Sequence, residues 1–307
     1  MEAENTPKIS LSLKTIAVST ITILVLVITS SAVASYITAK VLRGTTQGPL
    51  STKAAQSLQE KVVPTKGVTL PVKWGDLGAK MLEAGVIDRS KMEELYKQRG
   101  GLSDDDKKLL TDKNHGNITI NLQNSGYILN LFWALGLVNK NTVLETGPMS
   151  DQRYGGAANF ASTGGWSLGQ ADAMQYYSKA PLITLTPDQQ AMVERVAKNI
   201  YRPCCDNSTF FPDCNHGMAM LGFLELAASQ GLSEKELYQG ALILNSYWFP
   251  DTYLVLAQYM ASQGKPWTKV DPQEVLGAQY SSASGYGKIR AAVAPVQQQS
   301  GGGGCGA

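Results

Sequence analysis

The sequence predicts a mainly α-helical protein, with one globular domain behind an N-terminal hydrophobic segment. Three observations support this: apolar residues recur at helical spacing, capping residues precede those stretches, and few stretches alternate as strands do. Hydrophobic residues are 43% and charged residues 17% of the 307 residues, which is typical of a globular rather than a disordered chain. The net charge is only +2, so we expect no nucleic-acid partner.

The hydrophobic segment spans residues 15–39, which are the 25 uncharged residues between Lys14 and Lys40. As a helix it would be about 37 Å long, enough to cross a hydrocarbon core of about 30 Å. We therefore predict a transmembrane anchor in the lipid bilayer, preceded by a short segment of residues 1–14. A cleaved signal peptide ending near Ala32-Val33-Ala34 is the alternative. Because segments this close to an N terminus usually direct export, we predict that the domain is extracytoplasmic.

Composition divides the rest of the chain into three parts. Residues 40–66 are polar, contain glycine and proline, and are predicted to be a linker. Residues 67–277 are predicted to form a single mainly helical domain. Residues 278–307 are predicted to be a flexible tail that ends in a glycine-rich arm carrying Cys305.

The first half of the domain is predicted to contain four helices. The segment Trp74–Ala84 places apolar side chains three to four residues apart. Asp88 is expected to cap the next helix, and Ser103 a shorter one with three aspartates in its first turn, where the helix dipole favours acids. Tyr127–Leu137 is apolar on nearly every face, which indicates a buried helix. The best strand candidates are Val68–Val72 and Asn117–Leu122.

The second half is predicted to be helical after a long loop at residues 147–170, which are rich in glycine, serine and asparagine. Thr186–Tyr201 carries proline at the first helical position. Ser233 and Glu236 form a capping box that opens another helix. The remaining predicted helices are Asn215–Gln230 and Asp251–Gln263.

A cluster of cysteine and histidine residues carries the strongest functional signal. Cys204, Cys205, Cys214 and His216 lie within 13 residues and include three of the four cysteines and one of the two histidines. Flanking prolines place the cluster in a turn between two helices. Three thiolates and an imidazole suit tetrahedral Zn(II), or Cu(I) with fewer ligands. We therefore predict that these four residues bind a soft metal ion, although adjacent cysteines replace the usual CxxC spacing.

Two other interpretations of the same residues stay open. In the first, the protein is a thiol–disulfide oxidoreductase in which Cys214 is the nucleophile, because a helix N-terminus lowers a cysteine pKa. Cys205 and Cys305 would then be its partner thiols. In the second, the protein is a non-catalytic envelope scaffold or binding module, and one disulfide staples the turn. A single bridge leaves the third clustered cysteine unexplained.

Cys305 follows four consecutive glycines at the end of the chain. The segment Gly301–Ala307 resembles the swinging C-terminal thiol arms of thioredoxin reductases and some mercuric reductases. The dinucleotide-binding glycine motifs of those enzymes are absent from this chain, so the resemblance implies no activity. We expect Cys305 to exchange a metal ion or a disulfide with the cluster. A partner, whether an envelope protein or a metal-transfer protein, is not identified by the sequence.

Overall fold

The computed structural model describes residues 52–293. The predicted membrane segment 15–39 and Cys305 lie outside these residues. Within the described range, every helix is too short or too polar to cross a bilayer.

Helices make up most of the described chain, which confirms the prediction of a mainly helical protein. In the described residues, one two-stranded sheet is formed by β1 (Val68–Gly75) and β2 (His115–Ile120). Short helices, 3-10 turns and irregular structure connect the longer helices. The helices are α1 (Thr52–Val62), α2 (Leu77–Glu83), α3 (Arg89–Lys97), α4 (Asp104–Thr111), α5 (Ser125–Val138), α6 (Thr142–Glu145), α7 (Ala161–Gly164), α8 (Pro187–Ala197), α9 (Asn215–Ser229), α10 (Glu234–Trp248), α11 (Pro250–Ser262), α12 (Pro272–Leu276), α13 (Ala278–Ser281) and α14 (Ala283–Ala292).

The two predicted strands pair with each other in antiparallel orientation. Alternate residues of β1, namely Leu70, Val72 and Trp74, are buried, as a strand with one face on the core requires. The indole Nε1 of Trp74 donates a hydrogen bond of 2.6 Å to the Leu109 carbonyl. Trp74 therefore belongs to the strand, and the helix predicted from this residue begins only at Leu77.

Helices α5 and α9 form the centre of the core. Both are buried on almost all faces. They approach closely at Gly136 and Gly222: a Cβ atom at Gly222 would lie 2.4 Å from the Phe132 carbonyl oxygen and 2.7 Å from the Gly136 nitrogen. Beside this contact the rings of Phe132 and Phe223 meet edge to face, with centroids 5.7 Å apart, an arrangement that aromatic pairs favour. The two glycines thus set the spacing of the central helix pair.

Replacing Gly222 with alanine is expected to destabilise the fold, because the new methyl group forces the two helix backbones apart. Overpacking of this kind costs about 1–3 kcal/mol. Urea unfolding monitored by circular dichroism measures the change. Gly287→Ala in α14 is the matched control, since a Cβ there meets no atom within 4 Å and alanine favours a helix. Equal stability of both variants would contradict the assigned packing.

The segments predicted as linker and tail contain folded structure at their inner ends. Helix α1 occupies most of the second half of the linker, Val63 after it is buried, and the Tyr247 hydroxyl donates a 2.8 Å hydrogen bond to the Pro64 carbonyl. At the other end, α13 and α14 extend the folded part beyond residue 277, and Ile289 is buried. A few apolar anchors hold these polar segments to the core, and composition does not reveal such anchors.

Candidate metal centre

The cluster lies in the connection between α8 and α9, as predicted. Tyr201 and Ser208 form an antiparallel bridge, and the Thr209 amide donates a 2.8 Å hydrogen bond to the Ile200 carbonyl. These contacts close the chain into a hairpin-like turn. The turn brings Cys204 and Cys205, at its tip, next to Cys214 at the start of α9.

The three cysteine sulfurs form a nearly equilateral triangle. The Sγ–Sγ distances are 3.5 Å from Cys204 to Cys205, 3.5 Å from Cys204 to Cys214, and 3.7 Å from Cys205 to Cys214. All three are free thiols and are partly exposed. The structure therefore brings together the three cysteines that the sequence singled out.

Cys214 is the N-cap of α9, and its sulfur accepts a 3.4 Å hydrogen bond from the Gly217 amide. The pKa of Cys214 is held well below its ordinary value, chiefly because the thiols of Cys204 and Cys205 donate to its sulfur; the charge of Arg202 adds to this effect. The pKa of Cys204 is raised in turn, because its thiol is hydrogen-bonded to the other two sulfurs and is partly buried. Cys214 is thus the first of the three to carry a negative charge.

His216 follows in the first turn of α9 and is only 6% exposed. Its ring packs against Phe249, with centroids 4.3 Å apart, and its Nδ1 atom is buried with no hydrogen-bond partner. One ring nitrogen lies within 4.8 Å of the sulfurs of Cys204 and Cys214. A buried imidazole next to two thiols fits the role of a metal ligand.

An ion pair between a buried arginine and a partly buried aspartate lies against the Cys205 sulfur. The Arg202 side chain is fully buried, and its Nη2 atom donates to Asp213 Oδ1 at 2.7 Å and to Cys205 Sγ at 3.1 Å. The other carboxylate oxygen of Asp213 accepts a 2.7 Å hydrogen bond from the Asn207 side-chain amide. Cys205, Asp213 and Cys214 form a second group of potential ligands within 4.8 Å of one another.

Sequence reasoning missed Asp213 as a member of the site. In the sequence this residue is only part of the turn before a helix, where one aspartate is ordinary.

Met220, one turn beyond His216, would suit Cu(I) as a thioether ligand, but it is completely buried in the core. His216, in contrast, has a ring nitrogen close to the sulfurs of Cys204 and Cys214.

The start of α14 lies beside the turn. The Ala283 amide donates a 3.0 Å hydrogen bond to the Cys205 carbonyl, and the Ser284 amide donates a 2.8 Å hydrogen bond to the Asp206 carboxylate. A surface groove of about 390 Å³ runs along this contact and is lined in part by Tyr201 and Lys288. Helix α14 therefore begins at the cluster.

Comparisons of this chain with protein-family models, with curated proteins and with solved structures find no match.

Proposed function

We propose that the protein binds one soft metal ion, with Zn(II) as the preferred ion. The ligands are Cys204, Cys214 and His216, and Cys205 supplies the fourth. The observation that carries the proposal is the triangle of sulfurs, with a histidine nitrogen within 4.8 Å of two of them.

The dimensions of the triangle support this ion. A tetrahedral zinc ion with Zn–S bonds of about 2.3 Å places its sulfur ligands about 3.8 Å apart. The three observed separations of 3.5, 3.5 and 3.7 Å differ from this by only a few tenths of an ångström. Three cysteines and one histidine are also an ordinary ligand set for structural zinc.

Charge favours Zn(II) over Cu(I). Three thiolates and the Asp213 carboxylate carry four negative charges, and Arg202 carries one positive charge, so the site alone has a net charge of −3. A divalent ion reduces this to −1, whereas a monovalent ion leaves −2. Because Arg202 is fully buried and His216 nearly so, the smaller residual charge costs less desolvation.

The direct test is the metal content of the full chain, purified without a chelator, together with its free thiols before and after reduction. We expect about one zinc per chain and cluster thiols that react slowly until the metal is removed. Absence of metal even after reconstitution with Zn(II), with all cluster thiols freely reactive, would contradict the proposal.

Redox activity is the second candidate function, and the lowered pKa of Cys214 favours it. The Cys214 thiolate would attack a substrate disulfide and release one substrate thiolate. The thiolate of Cys204 or Cys205 would then attack Cys214 Sγ and release the second, so that two electrons pass from the cysteine pair to the substrate. Turnover of a disulfide substrate by the metal-free protein, abolished by Cys214→Ser, would support this function over metal binding.

We further propose that Cys305 exchanges the metal ion with the cluster. Helix α14 begins beside Cys205 and is about 15 Å long, and the twelve residues that follow Val293 and end at Cys305 span up to about 40 Å when extended. Cys305 can therefore reach the cluster.

We also propose that residues 15–39 tether the protein to a bilayer and that the domain is extracytoplasmic. A chain that lacks residues 1–40 and still stays in the membrane fraction would contradict the tether.

Cys305→Ser is expected to leave the amount of bound zinc unchanged but to slow its release to a competing chelator several-fold. The reason is that an incoming thiolate lowers the barrier to ligand exchange, whereas the resting site does not need it. Stopped-flow release into a chromogenic chelator measures the rate. Ser300→Ala, at the base of the glycine run, is the matched control because it alters the same arm but leaves its thiol in place. Identical release rates for wild type and Cys305→Ser would contradict the exchange role.

A further inference from the structure

The second ligand group, formed by Cys205, Asp213 and Cys214, shares both of its cysteines with the four ligands proposed above. Two thiolates and a carboxylate are ligands that zinc accepts. Together with Cys204 and His216, this group has the composition of a centre for two ions bridged by the thiolates of Cys205 and Cys214. The structure therefore raises the question of what prevents a second ion from binding.

The guanidinium of Arg202 already contacts two members of this second group. Its Nη2 atom lies 2.7 Å from Asp213 Oδ1 and 3.1 Å from Cys205 Sγ. Its Nη1 atom donates a 3.0 Å hydrogen bond to the Asn207 carbonyl, which holds the group in place. An arginine side chain keeps its charge at any accessible pH, so this cation is permanent.

The fold also makes space for the guanidinium. A Cβ atom at Gly217 would lie 2.9 Å from Arg202 Cζ, so the glycine at this position of α9 lets the side chain pass the helix end. The side chain is 0% exposed, and removing it from its anionic partners would leave a buried charge unpaired. A second metal ion would have to displace it at that cost.

We propose that Arg202 occupies the second ligand group as a built-in cation and limits the centre to a single metal ion. This inference rests on the proposed metal-binding function. It explains why Asp213 lies close to Cys205 and Cys214, two of the proposed ligands, without creating a site for another ion. It also assigns a role to an arginine that is buried completely, which is rare for a charged side chain.

The test counts ions rather than measuring activity. The full chain and its Arg202→Met variant are titrated with Cd(II), a zinc substitute, and the bound ions are counted by native mass spectrometry. We expect one Cd(II) in the wild type and two in Arg202→Met. Arg202→Lys, which keeps the charge, is expected to bind one. The double variant Arg202→Met/Asp213→Asn lacks the carboxylate and is expected to return to one.

The outcomes separate this inference from the proposed function. A wild type that binds no Cd(II) overturns both. A wild type that binds one, with a folded Arg202→Met that also binds one, overturns the role of Arg202 alone. Where Arg202→Met does not fold, the wild-type count under excess Cd(II) decides: a second bound ion overturns the inference, and a count held at one supports it.

Discussion

Replacing Cys214 with serine is expected to abolish metal binding while leaving helix α9 in place. Cys214 is one of the four proposed ligands, and it is the first of the three cysteines to carry a negative charge. Serine is a preferred N-cap residue, and its hydroxyl can accept the hydrogen bond that the Gly217 amide now donates to sulfur. The substitution therefore removes a ligand but retains the cap. Affinity for zinc should fall by more than about 100-fold, the upper range seen when only an outer partner of a ligand is lost.

Competition with a chelator of known affinity measures this loss, and circular dichroism checks that the helices remain. His216→Asn is a useful companion, because it removes the nitrogen ligand without changing any sulfur. Both variants should lose affinity if the four residues act together. If Cys214→Ser binds zinc with unchanged affinity, the ion does not bind at this cluster.

The helices were largely predictable from local sequence, because many have their own start signal. The capping box opened by Ser233, the proline in the first turn after Thr186 and the cap formed by Asp88 are all present in the structure. The errors occurred where tertiary contacts outweigh local composition. Trp74 lies in a strand because it is one of the alternating buried residues of β1, although it precedes a helical pattern.

The ligand residues were predictable because cysteine and histidine are rare in this chain, so their clustering is conspicuous. In the sequence Arg202 is only a nearby positive charge, and Asp213 only part of a turn. Arginine and aspartate are common, and only the folded turn shows that they meet each other and Cys205. The same holds for contacts between distant parts of the chain, such as the one between Ala283 and Cys205.

One buried acid was not predicted at all. Glu225 lies in the middle of α9 and is completely buried, with one oxygen accepting a 3.0 Å hydrogen bond from the Asn139 side-chain amide and the other without a partner. Burial raises the pKa of this carboxyl well above its ordinary value of 4.5, and the hydrogen bond only partly opposes the effect. The folded protein therefore holds a proton on Glu225 at pH values where the unfolded chain has already released it.

This proton makes the stability of the protein depend on pH. Below about pH 4.5 the Glu225 carboxyl is protonated in both the folded and the unfolded state, so its titration costs no stability. Above that pH the folded state binds more protons than the unfolded state, so stability falls by about 1.4 kcal/mol per pH unit until the folded-state pKa is reached. Glu225→Gln is neutral at every pH and keeps the shape of the side chain, so its stability relative to the wild type should increase as the pH rises.

Urea unfolding of both proteins at several pH values between about 5 and 8 measures this difference, and subtraction cancels the titration of all other groups. Glu236→Gln in the neighbouring helix is the matched control. The pKa of Glu236 is lowered by its hydrogen bonds to Ser233, and glutamine preserves the capping box, so its effect should not change over this range. If the difference in unfolding free energy between Glu225→Gln and wild type stays constant with pH, Glu225 is ionised in the folded protein. A cation or a water molecule would then have to lie next to Glu225 and stabilise its charge, because an isolated carboxylate that is completely buried does not stay ionised.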